Sequence, residues 1–97
     1  MKREWLFLLN RKVLVCHLCG LIIVCRKDLS GDHWPIPRSK GGNKILPAHK
    51  WCDHAHEDRN YIYASDLERL VKTWKRHKIK FSNRVYDSIK ALKEKER

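Results

Sequence analysis

At 97 residues the chain has room for one hydrophobic core and not two, so it reads as a single domain with, at most, an appended helical piece. Apolar residues make up 42% and charged residues 34%, which leaves the core small, and chains of this size often add a metal or disulfide staple. The formal charge of +11 comes from 22 Lys and Arg against 11 Asp and Glu, a balance that favours a polyanionic partner and salt-sensitive association with nucleic acid.

In chain order, residues 4–15 mix apolar side chains with Asn10, Arg11 and Lys12. The apolar run Trp5-Leu6-Phe7-Leu8-Leu9 is far too short to span a bilayer, and no small-residue cleavage site follows it. Neither a membrane anchor nor a secretory signal is therefore expected. A cytoplasmic setting keeps thiols reduced, which favours zinc over disulfides for Cys16, Cys19, Cys25 and Cys52. Val13-Val15 reads as a short strand feeding a Cys-x-x-Cys-Gly turn. Gly20 gives that turn its conformational freedom, and Leu21–Val24 is the returning strand of a hairpin.

Arg26 to Gly31 is polar and reads as a loop. Pro35, Pro37 and Gly41-Gly42 then make Gly31–Lys44 an irregular segment and not a helix. Ile45-Leu46-Pro47 returns as a short strand. From Asp53 a short helix places Cys52, His56 and Arg59 about one turn apart on one side. Tyr61-Ile62-Tyr63 is a connector. Ser65-Asp66-Leu67-Glu68 has the form of a capping box, followed by a Leu67, Leu70, Val71 and Trp74 stripe for the core. Lys72, Lys75, Arg76 and Lys78 crowd the end of that helix, where cations suit its dipole. A second helix is expected after Ser82, stapled by Phe81 and Tyr86, with Val85, Ile89 and Leu92 as its apolar face. Residues 93–97 form a charged tail.

Two constellations carry chemistry. Cys16 and Cys19 offer two thiolates at knuckle spacing, and His49 and Cys52 offer a second pair at the same spacing about thirty residues on. Together they make a Cys3His set suited to structural zinc. Cys25 is the rival fourth ligand, although its place in an apolar run suits a small buried hydrophobe. His17, between two ligands, is expected to point away from the metal. In the second constellation Asp32 supplies a hard oxygen suited to Mg2+ or Mn2+, while His33 has the pKa to act as general base. Adjacent residues at a strand end face opposite ways, so one can hold a metal while the other faces substrate. Asp53 and His56, one helical turn apart, complete the first shell from the helix side. His54 is open between metal, phosphate and solvent. Trp34 and Trp51 are expected to shield the two sites in preference to stacking on bases, and Arg38 and Lys40 are either phosphate contacts or solvated loop charges.

These residues in this order resemble the HNH endonuclease family: Cys16-x2-Cys19-Gly20, Asp32-His33, Pro37-Arg38-Ser39-Lys40-Gly41-Gly42, Leu46-Pro47-Ala48-His49-x2-Cys52, and a short helix ending in Asp58-Arg59. The likeness is to compact phage-type members, and it covers roughly residues 13–60, about half the chain. It implies an α+β fold, with a small ββα-metal (His-Me finger) core over residues 1–62 and C-terminal helices over 63–97. It also implies His33 as general base, Asp32 as ligand of the catalytic metal, and supporting roles for Asp53 and His56. The chain departs from the family pattern in three ways. One extra residue stands before Pro37, the second knuckle is His-x2-Cys, and the middle Asn has only Asn43 as a counterpart.

The expected function is metal-dependent hydrolysis of DNA phosphodiesters, with catalytic residues His33, Asp32 and His56. The cofactors are structural Zn2+ and catalytic Mg2+ or Mn2+. The expected partner is DNA, with no membrane, in a bacterial or phage-infected cytoplasm. The competing class is a zinc-binding nucleic-acid module without chemistry. The apolar stripes of the C-terminal helices leave room for a protein partner as well.

Overall fold

The computed structural model describes residues 2–56 and 61–97. Among the described residues, four α-helices and a two-stranded antiparallel sheet make an α+β arrangement: α1 (Arg3–Asn10), β1 (Leu29–His33), β2 (Ile45–His49), α2 (Lys50–His56), α3 (Ala64–Arg76) and α4 (Val85–Lys95). No helix among the described residues is long and apolar enough to cross a membrane.

The sheet pairs Leu29 with His49 and His33 with Ile45, which sets Asp32 opposite Leu46 and Gly31 opposite Pro47. Proline has no amide to donate and is tolerated on a sheet of two edges. The Pro47 carbonyl is instead taken by the His17 amide at 3.1 Å, which docks the Cys-x-x-Cys turn on β2. Between the strands, the Trp34 amide donates to the Lys44 carbonyl, and a 3-10 turn at Arg38–Lys40 folds the segment over. Gly42 is needed there, because a Cβ would collide with the Ile36 carbonyl.

The segment 26–31, expected as a polar loop, is a 3-10 turn at Arg26–Asp28 followed by most of β1. Its Ser, Gly and Asp have low strand propensity, and pairing with β2 overrides it. The expected hairpin of Val13–Val15 with Leu21–Val24 is reduced to one bridge, Val15 to Ile22. Leu14 and Ile23 point inward, while Val13, Val15, Ile22 and Val24 are exposed. Residues 3–10 form α1, which buries Trp5 and Leu9.

α2 follows β2 without a linker, so it starts at Lys50 and not near Asp53. The expected alignment of Arg59 with Cys52 and His56, and the Asp58-Arg59 helix end, lie outside the described residues. α3 begins one residue before the expected cap, and Asp66, not Glu68, reaches back to accept from the Tyr63 amide at 2.9 Å. Leu67 and Val71 are buried, with Leu70 and Trp74 packed against the core as the stripe requires. α4 starts at Val85, and its Ser82 hydroxyl accepts from the Arg84 amide at 3.3 Å. The rings of Phe81 and Tyr86 meet edge to face at 6.2 Å. α3 packs on both α2 and α4, and Arg84 of the α4 approach donates to buried Asp28 at 2.6 Å.

Candidate metal centres

Cys16 and Cys19 sit on the turn docked to β2, His49 ends β2, and Cys52 lies in the first turn of α2. The strand-to-helix junction therefore folds the second ligand pair back onto the first. The three Sγ atoms and a ring nitrogen of His49 all lie within 4.8 Å of one another, and all four residues are buried. Cys19 Sγ stands 3.3 Å from His49 Nδ1, near the ~3.6 Å that tetrahedral bonds of about 2.3 Å to sulfur and 2.0 Å to nitrogen would give. Cys25 is half-buried and outside the group, so His49 is the fourth donor.

The thiols are strongly unequal. Cys19 is held down to about 3 by hydrogen bonds from Cys16 and then Cys52, which outweigh its burial. Cys52 is pushed far up by the same contacts with Cys16 and Cys19, and by burial. Three buried thiols at this distance cannot all ionise without a cation among them. The donor set fits zinc.

Residues around the cluster fix it in place. Trp51 stacks on the His49 ring at 4.4 Å and 10°, and its indole donates to Ser88 Oγ on α4 at 3.1 Å. Ser88 Oγ also lies 3.5 Å from Cys19 Sγ, and Lys95 Nζ donates to the Cys19 carbonyl at 3.3 Å. Gly20 holds the turn with φ of 80°. Ser88 and Lys95 lie far from the knuckles in sequence, and no local signal marked them.

A second group forms one turn further along α2. One oxygen each of Asp32 and Asp53 and a ring nitrogen of His56 also lie within 4.8 Å of one another. His56 Nε2 stands 3.1 Å from Asp32 and 3.8 Å from Asp53. Ser30, two residues before Asp32 on the same strand face, donates to Asp53 Oδ2 at 2.7 Å. His17 does point away from the thiol cluster, and it points here: its Nε2 donates to Asp32 Oδ2 at 2.7 Å. The contact joins a turn to a strand across 15 positions, so no local spacing marks it.

Burial raises Asp32 above the ordinary carboxylate range, and the charge of His56 with hydrogen bonds from His17 and His56 only partly offsets it. Asp53 is also buried, but hydrogen bonds from His56, Ser30 and Asp32 prevail and hold it below that range. Such a split within a carboxylate pair is usual when two acids share a site. Asp32 and His56 side chains are 6% and 5% exposed, whereas Asp53 and His17 are 27% and 14%, so approach is past the latter two. Trp34 lies edge-on to His17 at 5.1 Å and to His56 at 6.0 Å, forming a wall.

His33 is not in this group. Alternation turns it to the opposite face of β1, where it is half-buried beside an open depression with Lys2, Gly31 and Ile45. His54 is exposed on a different side of α2, and Asn43, Arg38 and Lys40 are exposed in the loop. Comparison with family models, curated proteins and solved structures returns no match to this chain.

Proposed function

We propose that the protein is a metal-dependent DNA endonuclease of the HNH type, with β1, β2 and α2 as its ββα-metal core. The observation that carries this reading is the convergence of Asp32, Asp53 and His56 between a strand pair and a helix, beside a separate thiol cluster. Asp32 and Asp53 supply hard oxygens, and His56 a ring nitrogen, a donor set suited to Mg2+ or Mn2+. Such an ion, once bound, supplies Lewis-acid polarisation of the phosphate and charge neutralisation at the leaving oxygen. His17 and Ser30 hold the two carboxylates at fixed angles, as outer partners of metal ligands do.

A phosphodiester lying across the end of β1 would meet Asp32 on one side of the strand and His33 on the other. His33 then takes the proton from the attacking water. The Cys3His cluster with zinc pins the knuckle turn to α2, and so holds His17 against Asp32. Exposed Lys72, Lys75, Arg76 and Lys78 on and after α3 suit contacts to backbone phosphates.

The test is plasmid nicking with Mg2+ or Mn2+. Wild type is expected to cleave, while Asp32→Ala and His33→Ala lose at least about a hundredfold in rate. Equal cleavage by all three proteins, or none by any, would overturn the reading.

A second reading, a zinc-pinned nucleic-acid binder without chemistry, is favoured by one fact. Asp32 is deeply buried and already accepts from both His17 and His56. On that reading the group is a closed polar network, and DNA binding persists without any divalent-dependent nicking.

A further inference from the structure

A cavity of about 240 Å³ opens on the α2 face that carries Lys50, Trp51 and His54, away from Asp53 and His56. At about 100° per residue, Lys50 and His54 lie nearly in line along the helix, while Asp53 and His56 point elsewhere. The cavity wall continues onto Trp74 of α3 and Phe81 of the α3–α4 connection. The rings of Trp74 and Phe81 lie 5.0 Å apart with 30° between their planes, and both are half-buried. Trp51 is fixed from behind by its stack on His49 and its bond to Ser88.

Cations ring this aromatic floor. Lys27, Lys50 and Lys80 all line the cavity and are exposed. Asp28 is the acidic residue lining it, and its carboxylate is already ion-paired to Arg84 at 2.6 Å, so it does not offset the lysines. Aromatic faces alone would take any planar ring, and lysines alone any anion. Side by side they select a ring that carries a phosphate. The volume lies below the roughly 300–1,000 Å³ of whole small-molecule sites and suits one ring. A base stacked within a duplex offers no free face, whereas a single strand or an extruded nucleotide does.

We propose that this cavity binds one nucleotide of single-stranded nucleic acid, its base on Trp74 and Phe81 and its phosphate on Lys27, Lys50 and Lys80. The inference rests on the nucleic-acid part of the proposed function but not on cleavage.

The test uses the zinc-loaded full chain without Mg2+ or Mn2+, titrated with hexathymidylate, with a blunt duplex, and with polyglutamate of matched charge. Hexathymidylate is expected to quench tryptophan fluorescence, and Phe81→Ala or the Lys27→Glu/Lys80→Glu pair to weaken it about tenfold or more. Phe81→Ala should leave duplex affinity within about threefold, since the duplex reaches other lysines. Should Phe81→Ala fail to fold, Phe81→Leu keeps the bulk and loses the aromatic face. Absence of quenching, equal losses for single strand and duplex, or equal competition by polyglutamate would each overturn the assignment. A protein that binds hexathymidylate here but nicks no plasmid retains the pocket and loses the nuclease.

Discussion

The two ligand groups share α2 and the strand pair beneath it, yet they differ in donors and in access. The thiolates of Cys16, Cys19 and Cys52 are soft donors, and with His49 they are sealed at 0%, 1%, 0% and 2% exposure. The carboxylates of Asp32 and Asp53, grouped with His56, are hard donors, and one of them keeps a quarter of its side chain open. A closed thiol set suits an ion that holds structure, while an oxygen set with an approach suits one that must meet a substrate. His17 joins them, because its neighbour Cys16 belongs to the first group and its ring to the second. On the proposed function the first group is a scaffold for the second.

That dependence can be broken from one side only, which orders the expected effects. Cys52→Ser, or zinc removal by a chelator, should cost most of the fold, because apparent zinc binding in such sites reaches about 10–16 kcal/mol at neutral pH. Circular dichroism should show loss of the cooperative transition, whereas Cys25→Ser keeps one zinc per chain. Retained melting after zinc removal would refute the scaffold role.

Next in size is His17→Gln. It should lower Mn2+ affinity about 10- to 100-fold by freeing Asp32 to turn, while metal analysis still finds one zinc. Loss of both metals together would mean that His17 serves only the fold.

The pH dependence gives a smaller effect with a definite sign. Asp32 lies above its unfolded range, so in metal-free protein its contribution is complete below that range and fades as pH rises through the folded value. Asp53 lies below its unfolded range, so its contribution is present at higher pH and fades as pH falls through its folded value. Mn2+ binds the carboxylate form of Asp32, so its affinity should fall on acidification, by at most about tenfold per pH unit. Calorimetric Mn2+ titration of zinc-loaded protein at successively lower pH would measure it; an affinity that does not fall on acidification would contradict it.

Smallest should be Lys93→Ala, which removes a surface ion pair to Glu68 at 2.8 Å and touches neither group. It is expected to shift stability by less than about 0.5 kcal/mol in denaturant melts.

Much of the zinc group was legible, since His49-x2-Cys52 and Cys16-x2-Cys19 depend on local spacing that survives any packing. The α3 stripe through Leu67 and Val71 was legible for the same reason. β1 was not, because Leu29-Ser30-Gly31-Asp32-His33 has neither alternation nor propensity until β2 lies beside it. Asp32, Asp53 and His56 could be named from residue type and turn spacing. The parts contributed by His17, Ser30 and Ser88 follow from contacts across 15, 23 and 69 positions, which no local pattern encodes.

The most direct measurement is a Mn2+ titration of the zinc-loaded chain followed by electron paramagnetic resonance. One Mn2+ per chain is expected, lost in Asp32→Ala and in Asp53→Ala with zinc content unchanged. No Mn2+ uptake by wild type, or equal uptake by both variants, would contradict a hard-metal centre at this strand and helix.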